Sequence, residues 1–211
     1  MKLKYVALML AAALAFGTIA TSCTSEEETQ QGVLTSREVD FSNIGLKYTT
    51  PESWMEYTKS NNIYPYAYEE DYTIANIRYN YITPDDWDML SNAEDGVVVN
   101  DYLYPICEIV VIETEQASKL KSSGLYTTFS SRDLIKENNG VSYYLFYDYV
   151  GSVRNMGEEN VAIYDEICAG INELAGSFMV TDFDVDAYVE SKYAEKNTVS
   201  FSTETLDGEA V

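Results

Sequence analysis

Residues Thr73 to Ile82 alternate without a break: Ala75, Ile77, Tyr79 and Tyr81 fall on one face, and Asn76, Arg78 and Asn80 on the other. A period of two belongs to a strand with one buried face, so this segment rules out a helical bundle and calls for an antiparallel sheet. The expected opposite face is wet or covered by something polar. Residues Tyr64 to Glu70 alternate in the same way and form the other arm of a hairpin, with Glu69, Glu70 and Asp71 at its turn. Upstream, Glu38 to Phe41 and Leu46 to Thr50 flank an Asn43-Ile44-Gly45 turn. Pro51-Glu52-Ser53 breaks the second of these strands, and Trp54 to Thr58 is expected to resume it.

The downstream half continues the pattern. Pro105 to Glu113 is a nearly continuous apolar strand, which suits a central place in the sheet. Leu125 to Glu137 and Val141 to Val150 are joined through Asn139-Gly140, the dipeptide favoured where both turn residues need positive φ. VSYYLFYDYV is apolar on both faces and belongs in the sheet interior. Helices intervene. Thr83-Pro84-Asp85-Asp86 combines a hydroxyl cap, a first-turn proline and acids near the helix dipole's positive end. That helix should carry Trp87 and Leu90 inward and stop near Gly96. Thr114 to Ser123 is expected to form a second short helix. Glu158 to Phe178 reads as one long amphipathic helix, with Val161, Tyr164, Ile167, Cys168, Ile171, Leu174, Ala175 and Phe178 at spacings of three and four. Met179 to Phe183 would add a last strand.

Residues 1–22 are of another kind. Lys2 and Lys4 precede an apolar run from Tyr5 to Phe16, too short to span a bilayer comfortably, and Ala20, Thr21 and Ser22 lead into Cys23. The segment resembles a lipoprotein signal peptide with its lipobox, with Ala20 where Leu, Val or Ile is commoner. That resemblance implies acylation of Cys23, cleavage before it and lasting attachment to a membrane of the bacterial envelope, facing outside the cytoplasm, since two or three acyl chains hold where one does not. A plain secretory signal with an incidental cysteine is the alternative. Residues 23–36 are polar and acidic and form a flexible tether. Glu26, Glu27 and Glu28 resemble the export signal of surface lipoproteins in Bacteroides-type bacteria. Residues 37–183 then make a single α+β domain, and 184–211 a polar appendage.

Two further features carry a resemblance for the domain. Gly45-Leu46-Lys47-Tyr48-Thr49-Thr50-Pro51-Glu52-Ser53-Trp54 resembles the opening hairpin of PsbP-like and DcrB-like domains, with a Gly-apolar strand leading to a Pro-x-x-Trp turn. Those domains close with a long amphipathic helix running into Ser-Phe, and Ser177-Phe178 stands at that place here. The resemblance covers roughly Arg37 to Phe183. It implies an antiparallel sheet flanked by helices, an α/β/α sandwich, and it implies a scaffold rather than an activity.

Charge and composition exclude several functions. The net charge is −22, and removal of Lys2 and Lys4 with the signal makes the chain more acidic still, so phosphate backbones and anionic lipid surfaces are repelled. With no histidine, Ser-His-Asp and Cys-His catalysis and histidine-ligated zinc are unavailable. Of the three cysteines, Cys107 and Cys168 lie in apolar surroundings and are expected as buried thiols, a disulfide being the alternative. Asp182, Asp184 and Asp186 resemble the opening of a calcium loop, but Ala187 stands where glycine is needed and Tyr193 where a bidentate glutamate is needed. No metal or cofactor is expected.

The 19 tyrosines remain. Most suit a half-buried pleated surface. A subset offers stiff contact area with a polar tip, and Tyr64, Tyr66, Tyr68 and Trp87 are the expected binding surface for a protein or glycan. The expected function is therefore a non-enzymatic, membrane-anchored binding or accessory module, with a hydrolase using paired carboxylates as the alternative.

Overall fold

A computed structural model describes residues 37–68, 70, 72–92 and 99–190, and Cys23, the tether and residues 191–211 lie outside them. The fold is mixed α+β with two antiparallel sheets. The smaller has the order β1-β2-β8, from β1 (Glu38–Phe41), β2 (Leu46–Thr49) and β8 (Met179–Val180). The larger has the order β3-β4-β5-β7-β6, from β3 (Ile63–Tyr68), β4 (Ala75–Tyr81), β5 (Tyr104–Glu113), β6 (Phe129–Asn138) and β7 (Val141–Tyr149). Apolar β5 is central and β7 interior, as their composition requires. Asn139 and Gly140 turn between β6 and β7 with φ of 45° and 78°, the left-handed pair expected of that dipeptide. Gly45 ends the β1–β2 turn at φ 67°, packed so closely on the Thr181 carbonyl that no side chain fits there.

Side-chain alternation divides the large sheet into two faces. Ile77, Tyr79, Cys107, Ile109, Tyr143 and Leu145 point inward and share one core with Leu46 and Tyr48 of the small sheet and with Trp54, Tyr164, Ile167 and Leu174. Val110, Ile112, Phe129 and Phe146 point outward into a second cluster, closed by Leu120 and Leu125. Those two residues come from a 3₁₀ segment, Thr114–Ser122, and from the short helix Leu125–Thr128.

The structure departs from the expected elements in several places. Trp54 to Thr58 is not a strand: a 3₁₀ turn at Glu52–Trp54 runs into helix α1 (Met55–Lys59), and Thr58 Oγ1 donates to the Trp54 carbonyl at 2.9 Å. Five residues are too few for apolar spacing to separate helix from strand. Helix α2 (Pro84–Ser91) starts as expected, with Thr83 Oγ1 accepting from the Asp86 amide at 3.1 Å, but stops before Gly96, which is not described. Leu90 is buried, whereas Trp87 stays partly exposed. The first turn of the expected strand from Leu125 is the helix α3 (Leu125–Thr128), and β6 begins at Phe129.

The long helix is broken. It forms α4 (Glu158–Ala169) and α5 (Ile171–Gly176), separated at Gly170. Trp54 Nε1 donates to the Ile167 carbonyl at 2.6 Å, and the Gly170 amide donates to that same oxygen at 3.0 Å in a tighter turn. A side chain inserted into the ladder is a recognised cause of such a break. A Cβ at position 170 would lie 2.8 Å from Trp54 Nε1 and 3.0 Å from Pro51 Cβ, so glycine is what lets the indole in. Beyond β8, residues 185–190 are helical.

Candidate functional site

β3 is an edge of the large sheet, and among the described residues it pairs only with β4. Pro65 sits in its middle, where a missing N–H is tolerated because that edge faces outward. The period of two sends Tyr64, Tyr66 and Tyr68 to the outer face, opposite Asn80, Arg78 and Asn76. The three rings form a row with centroid spacings of 6.3 and 5.6 Å. Tyr64 is buried, and Tyr66 and Tyr68 are half-buried. Trp87 does not join them. It lies on α2, past the Ile63 end of the hairpin, and no ring contact links it to the row among the described residues.

What holds the row is a pair absent from the sequence-based expectation. Register places Glu108 of β5 opposite Arg78 of β4, and Glu108 is fully buried. Arg78 Nε donates to Glu108 Oε2 at 2.5 Å. Tyr68 Oη and Asn76 Nδ2 donate to Glu108 Oε1 at 2.5 and 2.8 Å. Arg78 in turn donates through Nη2 to Tyr68 Oη at 3.1 Å and through Nη1 to Tyr66 Oη at 3.4 Å, and its guanidinium lies 5.5 Å from the Tyr68 ring centroid. The expected polar face is therefore covered: Asn76 and Asn80 are buried, and Asn80 Nδ2 donates to the Tyr64 carbonyl at 3.2 Å. The available signal was a single acid, Glu108, inside the apolar run Ile106 to Ile112, since a buried carboxylate needs a cationic or hydrogen-bonding partner.

The electrostatics define what these groups can do. Burial acts to lower the Arg78 pKa, but Glu108 and the two tyrosines outweigh it and hold the guanidinium above its ordinary value. Burial, reinforced by Glu108, pushes the Tyr68 hydroxyl well up, and burial pushes Tyr64 up to about 12. At neutral pH the row thus presents protonated phenols, which donate, accept and stack but do not act as bases.

Other candidates find ordinary partners. Asp182 Oδ1 accepts from Asn138 Nδ2 at 2.6 Å, and Asp184 Oδ1 accepts from the Ala187 amide at 2.9 Å, capping residues 185–190. Among the described residues no cluster of acids or cysteines is arranged to hold a metal. Cys107 and Cys168 are free thiols, both pushed up by burial, Cys168 to about 11. A cavity of about 250 Å³ adjoins Tyr68 and is lined by Phe41, Ile44, Ala67, Ala75, Ile77 and Tyr188. No family model matches the chain, and no curated protein or solved structure does.

Proposed function

We propose that the chain is a lipoprotein of the bacterial envelope, anchored through Cys23, whose domain binds a neutral, hydroxyl-rich ligand such as a glycan and is not an enzyme. The observation that carries this reading is the tyrosine row on β3, held from behind by a buried ion pair. Stiff aromatic faces with protonated hydroxyl tips suit sugar rings, and a net charge of −22 disfavours an anionic ligand. Hydrolysis by paired carboxylates needs a second acid beside Glu108. Among the described residues its hydrogen-bonding neighbours are Tyr68, Asn76 and Arg78. A PsbP-like or DcrB-like scaffold is part of this proposal, supported by the Gly45 turn and the Pro51 to Trp54 corner.

Two measurements test the reading. Intact mass and membrane partition of the protein made with its own signal, beside Cys23→Ser, should show diacylglyceryl mass and membrane fractionation only for the wild type. Unmodified, soluble protein in both cases removes the anchor. Retention on a panel of neutral polysaccharides should fall up to roughly tenfold for Tyr66→Ala, the span expected of one aromatic contact. Unchanged retention, or retention by none, removes the glycan surface.

A further inference from the structure

The other edge of the large sheet carries an unusual order of charge. β6 pairs with β7 on one side and, among the described residues, with no strand on the other. Its middle reads Arg132-Asp133-Leu134-Ile135-Lys136-Glu137, a run whose charges are self-complementary when reversed about Leu134 and Ile135: Arg132 meets Glu137 and Asp133 meets Lys136. Arg132, Asp133, Lys136 and Glu137 are all exposed.

Charge order alone is insufficient, because two copies related by a twofold axis pair as antiparallel strands only if the residues brought opposite each other lie on the same face. In a regular strand Arg132 and Glu137, an odd number of positions apart, lie on opposite faces. β6 is not regular. Its register against β7 shifts between Leu134 and Lys136, with Leu134 opposite Tyr144 and Lys136 opposite Tyr143, so Ile135 is an inserted residue. The bulge changes the parity. Arg132, opposite Phe146, and Glu137, opposite Ser142, now both face outward. Asp133, opposite Leu145, and Lys136, opposite Tyr143, both face the inner side.

We propose that β6 is a self-recognition edge, through which two copies of this chain join their five-stranded sheets into one continuous antiparallel sheet. Each copy contributes both partners of an Arg132–Glu137 pair and an Asp133–Lys136 pair, so the contact closes as an isologous dimer. Charged residues and bulges on an edge normally exclude foreign strands. Here they exclude strands of other charge order and admit a second copy. Shifting the register by one residue either way sets Arg132 against Lys136 or Asp133 against Glu137, residues on opposite faces, so both opposite-charge pairs are lost and slippage is penalised. Existing contacts leave the edge free to do this: Asp133 Oδ2 accepts from Tyr147 Oη at 3.0 Å, and Arg132 lies over the rings of Tyr126 and Tyr144 on the outer face, 5.2 and 5.5 Å from their centroids.

The test is light scattering and sedimentation on the purified full-length chain, with circular dichroism as a check of folding. The wild type should show twice the monomer mass. One variant, Arg132→Glu with Asp133→Lys, and another, Lys136→Asp with Glu137→Arg, should each fold and stay monomeric. An equimolar mixture of the two restores opposite charges at every position and should recover the doubled mass as a heterodimer. A monomeric wild type at the highest soluble concentration overturns the proposal. So does a wild-type dimer that survives either variant, or a mixture that stays monomeric.

Discussion

The large sheet carries tyrosines on both faces, and the two sets are held in different ways. The buried tyrosines on and against the inner face meet neutral partners: Tyr48 and Tyr79 share one hydrogen bond of 2.5 Å, Tyr143 donates to the Ile44 carbonyl at 2.9 Å, Tyr81 to Asn160 at 2.8 Å and Tyr164 to the Pro105 carbonyl at 2.5 Å. On the outer face Tyr66 and Tyr68 are tied to the charged pair Arg78–Glu108. A closed core tolerates neutral hydroxyls because each finds one fixed partner. A rim with its rings half in water needs a stronger, directional anchor to stay ordered, and a charge-assisted network supplies it.

The largest test of this contrast is alkaline pH. Unfolded tyrosines ionise near 10, whereas burial pushes Tyr64, Tyr81 and Tyr143 up to about 12 and holds Tyr48 and Tyr79 well above the ordinary value. Above pH 10 the unfolded chain has released protons that the folded chain retains, so stability is complete below that pH and falls as pH rises beyond it. Phenolate absorbance of the buried rings and loss of circular dichroism should appear in one transition. Ionisation of all the rings with the fold intact would show that inner and outer sets are equally open to solvent.

Next in size is Glu108→Ala, which leaves Arg78 with no counter-charge and should cost about 3 kcal/mol in denaturant titration, the low end for a broken buried pair because the Arg78 side chain is 20% exposed. Replacing both partners, Arg78→Leu with Glu108→Leu, should recover most of that loss while loosening the tyrosine row. Equal loss in the single and double variants would mean that the cost does not come from the charge stranded on Arg78. Tyr79→Phe on the inner face should cost about 1–2 kcal/mol, because it strands the Tyr48 hydroxyl, and adding Tyr48→Phe should return part of it. The smallest effect is expected of Tyr66→Phe, below about 1 kcal/mol, since its bond to Arg78 is long at 3.4 Å and half-exposed. A larger loss there would erase the distinction between rim and core.

Where the chain encodes structure locally, the sequence was readable: Asn139-Gly140 needs positive φ, Thr83-Pro84 starts a helix, and the apolar run at Ile106 belongs in mid-sheet. What escaped reading depends on distant partners. The break at Gly170 exists because Trp54 reaches the Ile167 carbonyl across 113 positions, and periodicity in either segment contains no sign of the other. The separate small sheet was missed for the same reason, as β8 offers only Met179 and Val180 and is defined by its pairing with Lys47 and Leu46. Tyr64, Tyr66 and Tyr68 were legible as one face of one strand. Arg78 and Glu108 were not legible as their support, because the loop between β4 and β5 leaves the register open.

The indole in its notch also sets an order of events. The β1–β2 hairpin is complete early in the chain, yet the carbonyl awaiting Trp54 lies 113 positions beyond that residue, and the third strand of the sheet later still. Contacts so far apart in sequence close late, because loop-closure entropy must be overcome before they form. The amino-terminal corner of the domain therefore stays open until the helices on either side of Gly170 and the strand after them have been made.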